Sequence, residues 1–141
     1  TLSKEEHNIR EILDEYLQST SYADQVILCP RLPTLSVNEA LFCTAVDNMI
    51  RNGLKYNDSK TKFVKVMMVD DDTLGIIDNG RGMSQEEYEI LSKPYLRREG
   101  QKEEGTGLGL NITVAICKEH GFELSAEKRE EGGTIMRIKV K

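Results

Sequence analysis

The chain has 141 residues, 38% of them hydrophobic and 30% charged, which suits one soluble globular domain with a single core. Its formal net charge of −5 argues against a general nucleic-acid-binding surface, which is normally basic, while leaving room for a local cation cluster that holds phosphates. No apolar run approaches the roughly 20 residues of a membrane-spanning helix, and the polar start from Thr1 to Arg10 lacks a leader pattern. Because the chain opens without methionine, it reads as a piece of a longer protein. Cys29, Cys43 and Cys117 are widely spaced with no Cys-x-x-Cys pair, and read as buried or free thiols in a reducing compartment.

Residues 3–18 set Ile9, Ile12, Leu13, Tyr16 and Leu17 at helical spacing behind Ser3, with Glu6 three residues on, and predict one helix. Residues 25–29 predict a short strand, and residues 30–36, with Pro30 and Pro33, a loop. A long helix is predicted over 37–56, capped by Ser36 with Glu39 at its third position. Residues 62–69 and 73–78 predict a hairpin around Asp70, Asp71 and Asp72. Residues 79–107 are polar, rich in glycine, and hold one helical patch near 84–91; so long a connection in a compact domain is usually a functional lid or loop. Leu108 to His120 predicts a helix stopped by Gly121, and residues 122–129 and 134–141 predict two strands joined by Glu130, Glu131, Gly132 and Gly133. No internal repeat or low-complexity segment is present. The sum is an α/β two-layer sandwich, with three main helices on a sheet of about five strands.

On the helix 41–56, at roughly 100° per residue, Phe42, Val46, Met49, Ile50 and Gly53 share one side and form a core face. Asn48, Asn52 and Lys55 share the other, although asparagine is a poor helix former. Amide carbonyl oxygens suit Mg²⁺ and an ammonium suits phosphates, so this stripe is a candidate ligand face. Taken alone it also fits an ordinary solvated helix face.

Asp78 follows the apolar residues Leu74 to Ile77 and precedes Asn79-Gly80-Arg81-Gly82, where glycines let the backbone approach a ligand closely. A carboxylate at the end of a buried strand needs a donor, and a purine amino group or a water would supply one; a plain Asp-Asn-Gly turn fits as well. Gly105-Thr106-Gly107-Leu108-Gly109-Leu110 opens the next helix, whose free N–H groups and positive dipole end suit an anion. The pattern is neither a dinucleotide-binding fingerprint nor a Walker A loop.

In order, Asn48-x3-Asn52-x2-Lys55-Tyr56, Asp78-x-Gly80-x-Gly82 and Gly105 to Leu110 resemble the N, G1 and G2 boxes of the GHKL ATPase superfamily, most of all its histidine-kinase branch. Gly132-Gly133-Thr134 resembles the glycine element near the end of that domain, so the resemblance covers nearly the whole chain. It implies a Bergerat fold: a mixed, mostly antiparallel sheet with helices on one face and a mobile ATP lid over residues 79–107. It implies ATP and Mg²⁺ as cofactors. By the resemblance Asp78 reads the adenine amino group, Asn52 and Asn48 hold Mg²⁺ and phosphate oxygens, Lys55 touches phosphate, and Tyr56 packs near the base or ribose. Gly80, Gly82, Met83 and Thr134 belong to the nucleotide pocket, while Gly105, Thr106, Gly107, Leu108, Gly109 and Leu110 form the lid hinge and the phosphate-facing turn. The family often carries a Phe-Tyr-Arg box in the lid; here Pro94-Tyr95-Leu96-Arg97-Arg98 stands there, with Tyr95 in the aromatic position. Arg97 or Arg98 is then a candidate γ-phosphate contact, a solvated basic lid being the alternative. Gly53 replaces the family's usual alanine, a small cost to the helix with no evident function.

Members that hydrolyse ATP place a glutamate four residues before the Mg²⁺ asparagine as general base; here that position is Asn48, which takes no proton at neutral pH. The resemblance therefore implies phosphotransfer to a histidine rather than hydrolysis. Neither His7 nor His120 sits in the family's acceptor pattern, and both read as structural or surface residues. The acceptor histidine is expected on a dimerisation domain upstream, connected through residues 1–18, with a response regulator as the onward partner. On this reading the full-length protein is a cytoplasmic homodimer, or the cytoplasmic part of a membrane-bound sensor, and the fragment is monomeric. A nucleotide-binding regulatory or degenerate module of the same fold is the alternative.

Overall fold

The computed structural model describes residues 2–92 and 108–141. In chain order they form β1 (Glu5–Asn8), α1 (Ile9–Leu17), β2 (Val26–Leu28), β3 (Thr34–Val37), α2 (Glu39–Lys55), β4 (Val64–Asp70), β5 (Thr73–Asp78), α3 (Gln85–Leu91), α4 (Leu108–Glu119), β6 (Glu123–Lys128) and β7 (Thr134–Lys139). Five strands make one sheet in the order β2-β4-β5-β7-β6; β2 runs parallel to β4 and the other neighbours are antiparallel.

Alternation along the strands decides which face is covered. Val64 and Val66 on β4, Leu74 and Ile76 on β5, and Met136 and Ile138 on β7 are buried. The register aligns Val66 with Ile76, Ile76 with Met136, and Met136 with Ala126. Against this apolar row α2 packs on β4 and β5, and α3 and α4 on β6, while α2 and α4 pack on each other. The expected two-layer sandwich, with a mixed and mostly antiparallel sheet, is therefore present. It carries in addition a small two-stranded sheet of β1 and β3.

That small sheet corrects two local expectations. The single helix predicted over 3–18 is a strand followed by a shorter helix, and the loop predicted over 30–36 contains a strand. Glu5 to Asn8 pairs antiparallel with Val37 to Thr34, and both ends lead into fully buried residues, Ile9 and Val37. Backbone pairing with a segment distant in sequence has overridden a local capping pattern. The caps move accordingly. Asn8 Oδ1 accepts the Glu11 N–H at 3.0 Å to start α1, and Asn38 Oδ1 accepts the Leu41 N–H at 3.0 Å to start α2, in place of Ser3 and Ser36.

His120, at the C-terminal end of α4, is buried and structural, as expected. Its Nε2 accepts the Asn38 N–H at 3.0 Å and its Nδ1 lies 2.8 Å from the Ile116 carbonyl, so the proton resides on Nδ1. The imidazole also stacks on Phe122 and meets Phe42 edge-on, joining the end of α4 to the start of α2. Cys43 and Cys117 are buried thiols, each pushed up to about 12 by burial.

Candidate functional site

Two cavities meet at α2. The first, of about 250 Å³, lies between α2 and the sheet and is lined by Met49, Gly53, Tyr56, Asp78, Met83, Leu110, Thr134 and Met136, with Asn52 at its edge. The second, of about 500 Å³, is the more polar of the two and takes Tyr22, Gln25, Asn48, Arg51, Leu54, Lys55 and Gly109 together with the same Asn52. The helical period explains the division: Met49, Gly53 and Tyr56 face the sheet, Asn48, Arg51 and Lys55 face away, and Asn52 lies on the boundary.

Asp78 is the buried carboxylate of a mostly apolar chamber, whose lining also includes Arg81, Glu87 and Thr134. It ends β5 on the covered face and is only 7% exposed. Its Oδ1 accepts the Gly80 N–H at 2.8 Å and the Thr134 N–H at 3.2 Å. Burial nonetheless pushes the carboxyl above the usual aspartate range, more than these bonds and the nearby Arg129 charge pull it down. Among the described residues Oδ2 accepts no hydrogen bond, which leaves one carboxylate oxygen for whatever enters.

The backbone around Asp78 is packed from two sides. A Cβ on Gly53 would lie 2.8 Å from both Cβ and Oδ2 of Asp78, so the glycine that seemed functionless lets α2 approach the carboxylate. A Cβ on Gly133 would lie 1.9 Å from the Asp78 carbonyl oxygen, and Gly133 holds φ +100°, so the turn between β6 and β7 closes on the strand end as only glycine allows. Asn79 completes the frame. Its Oδ1 accepts from Asn57 Nδ2 at 2.8 Å and from the Phe63 N–H at 3.0 Å, tying the α2–β4 connection to the end of β5.

In the polar chamber Asn48 is already engaged. Its Oδ1 accepts Arg51 Nη2 at 2.7 Å, and its Nδ2 donates to the Gly109 carbonyl at 3.4 Å, joining α2 to the first turn of α4. Arg51 Nε in turn donates to Asp47 at 2.9 Å. Asp47 is buried and also accepts the Tyr16 hydroxyl at 2.9 Å and the Tyr22 hydroxyl. That carboxylate pushes both phenol pKa values up, after desolvation, which is the larger cause. Asp47 is therefore locked in a structural network and turned from the chamber. The Asn52 side chain makes no hydrogen bond among the described residues, while its backbone carbonyl accepts the Tyr56 N–H at 3.1 Å, so its side-chain amide oxygen remains open to a cation. Asn48 would have to release Arg51 to serve in the same way.

Of the residues singled out by sequence, Asn52, Tyr56, Asp78, Gly82, Met83, Leu110 and Thr134 line the first chamber, and Asn48, Asn52, Lys55 and Gly109 the second. Gly80 lies behind Asp78 with its N–H on Oδ1. Leu108 opens α4. Tyr95, Arg97, Arg98, Gly105, Thr106 and Gly107 lie outside the described residues. Sequence reasoning missed Arg51 and Tyr22, and it missed Arg129, whose Nη1 donates to the Asp78 carbonyl at 2.8 Å. Arg51 lies three positions from Asn48 without a periodic signal of its own, and Arg129 lies 51 positions from Asp78, beyond any local pattern.

This helix-on-sheet sandwich is the fold of solved catalytic domains of sensor histidine kinases. The solved mycobacterial sensor histidine kinase MprB superposes with a TM-score of 0.74 at 20% identity, over 96% of this chain and 95% of that one. Residues 37–141 match the histidine kinase-, DNA gyrase B-, and HSP90-like ATPase family, and the chain belongs to it. It is 31% identical over 98 residues to the sensor histidine kinase CpxA of Escherichia coli, covering 67% of this chain and 21% of that protein. It is 25% identical over 136 residues to cyanobacterial phytochrome B of Nostoc, covering 92% of this chain and 18% of the relative. The chain thus spans only about a fifth of the length of these relatives.

Proposed function

We propose that this chain is the catalytic domain of a sensor histidine kinase, which binds Mg-ATP and passes its γ-phosphoryl group to a histidine on a separate dimerisation domain. The observation that carries the reading is Asp78, a buried carboxylate lining a mostly apolar chamber, with one oxygen held by two backbone donors and the other, beside Gly53, accepting no hydrogen bond among the described residues. An exocyclic amino group satisfies that oxygen, while Met49, Tyr56, Met83 and Leu110 cover the ring faces. The phosphates then run past Asn52 into the polar chamber, where Lys55 supplies charge. Asn52 has an amide oxygen suited to Mg²⁺, which would neutralise phosphate charge when bound.

In the transfer step the acceptor imidazole nitrogen forms a bond to the γ-phosphorus as the bond to the β,γ-bridging oxygen breaks. ADP leaves with that electron pair, and the imidazole proton passes to a base on the acceptor's own domain. This chain positions and screens charge. The two α2 positions nearest the phosphates offer water no base: position 48 is an amide, and the Asp47 carboxylate is held by Tyr16, Tyr22 and Arg51. The lid arginines Arg97 and Arg98 belong to the same proposal as γ-phosphate contacts, as does Tyr95 against the nucleotide. So do residues 1–18 as the connection from the dimerisation domain, a cytoplasmic location, a homodimeric full-length protein, and a response regulator as the onward acceptor.

Calorimetric titration with ADP and ATP, with and without Mg²⁺, tests the binding half. Asp78→Asn should weaken both nucleotides about a hundredfold, because the amide meets the purine amino group with a donor as readily as an acceptor. Phosphorylation of a supplied acceptor domain, lost on Asn52→Ala, tests the transfer half. Nucleotide binding that ignores Asp78→Asn refutes the site.

A further inference from the structure

The turn between β6 and β7 holds an arginine that solvent hardly reaches: the Arg129 side chain is 16% exposed. Its Nη1 is shared between the Asp78 carbonyl at 2.8 Å and the Gly132 carbonyl at 3.0 Å. The guanidinium carbon lies 5.9 Å from the centre of the Phe63 ring, and Nη2 lies 3.6 Å from Glu131. The same turn closes on itself, with the Arg129 N–H on the Gly133 carbonyl at 2.9 Å and the Gly132 N–H on the Arg129 carbonyl at 3.1 Å. The Thr134 N–H at its exit donates to Asp78 Oδ1. Asp78 is therefore held twice from one turn, by the backbone of Thr134 at its side chain and by Arg129 at its main chain.

This arrangement has a consequence for recognition. The carboxylate sits at the last residue of β5, where the ladder to β7 has ended at the Ile77–Ile135 pair. Asp78 still pairs with Val64 of β4, but beyond the end of the β7 ladder its carbonyl is gripped by Arg129, which holds the peptide plane after Asp78 and with it the strand end that carries the side chain. We propose that Arg129 is a positioning residue for purine discrimination: it clamps the Asp78 carbonyl so that Oδ2 meets the 6-position of a purine and favours an amino group over an oxo group there. The inference deepens the nucleotide-binding reading and rests on it. It assigns to the β6–β7 turn a part in choosing the base, distinct from the turn's structural role in joining two strands.

The test compares ADP with inosine diphosphate, which differs in carrying an oxo group at the purine 6-position, by calorimetry on the intact chain. Wild type should prefer ADP, and Arg129→Met should reduce that preference about tenfold, in line with the loss of one charged hydrogen bond at the reading group. Arg129→Lys, which keeps the charge and one donor, should fall between. An Arg129→Met protein that weakens both nucleotides equally and keeps the wild-type ratio overturns the assignment, because a merely structural role lowers both alike. If Arg129→Met does not fold, the ratio on Arg129→Lys decides: lowered supports the clamp, unchanged overturns it. A wild type that binds neither nucleotide, or both equally, removes the reading of Asp78 itself; a selective wild type beside an equally selective variant removes only the role of Arg129.

Discussion

Gly53→Ala sets two effects of known sign against each other. In an exposed helix the change would stabilise by about 1 kcal/mol, since glycine has the larger backbone entropy to lose. At this site the new methyl would lie 2.8 Å from both Asp78 Cβ and Oδ2, and ordinary contact begins at 3.4 Å, so the helix and the strand end must part by about 0.6 Å. Asp78 cannot simply swing aside, because Oδ1 is held by Gly80 and Thr134 and the carbonyl by Arg129. Overpacking of that kind costs about 1–3 kcal/mol, which leaves a net loss of about 1 kcal/mol and a thermal midpoint lower by about 4 °C. The same displacement should weaken ADP binding several-fold, as the carboxylate is the atom moved. Calorimetric melting together with ADP titration measures both. A variant whose midpoint rises by about 4 °C with ADP affinity unchanged would refute the reasoning, since α2 would then have room to retreat.

Three further outcomes are expected. Asp47→Ala removes a buried acceptor from two half-buried phenol hydroxyls and from the exposed Arg51 guanidinium, and urea unfolding should show a loss of about 1–2 kcal/mol. For Asp78 the folded pKa lies above the unfolded value, so at neutral pH ionisation costs the native state more than the unfolded chain; this penalty fades as pH falls through the raised pKa. Asp78→Asn should accordingly melt at or above the wild-type midpoint at pH 7 without nucleotide, and the difference should shrink on acidification through that raised pKa. An advantage that grew as pH fell would contradict the assignment. His120→Phe keeps a ring between Phe42 and Phe122 but leaves the Asn38 N–H without its acceptor, and should cost about 1–3 kcal/mol in the same unfolding assay.

What could be read from sequence was whatever repeats or sits in order along the chain. Asn48, Asn52 and Lys55 share a face at helical spacing, and Asp78 ends an apolar strand before a glycine turn, so both chambers had a signature in one dimension. The arrangement that makes Asp78 usable did not. Gly53 gains its meaning from a strand end 25 positions later, and Arg129 from a carbonyl 51 positions earlier. Asp47 likewise depends on Tyr16 and Tyr22, which reach it from outside its helix. The β1–β3 sheet was hidden for a related reason: the Ser3 and Glu6 pattern is a sound local cap, and only pairing with Thr34–Val37 overrules it.

Helix α2 serves both chambers with one set of side chains, and Asn52 stands on the border between them. Such a helix tolerates exchange of residues far better than change of length. One residue inserted between Asp47 and Tyr56 would turn everything beyond it by about 100° and advance it by about 1.5 Å, carrying Asn52 off the border and Gly53 off the carboxylate in one stroke. Among natural variants of this domain, length differences should therefore gather in the connections that flank α2 and leave the register from Asp47 to Tyr56 intact.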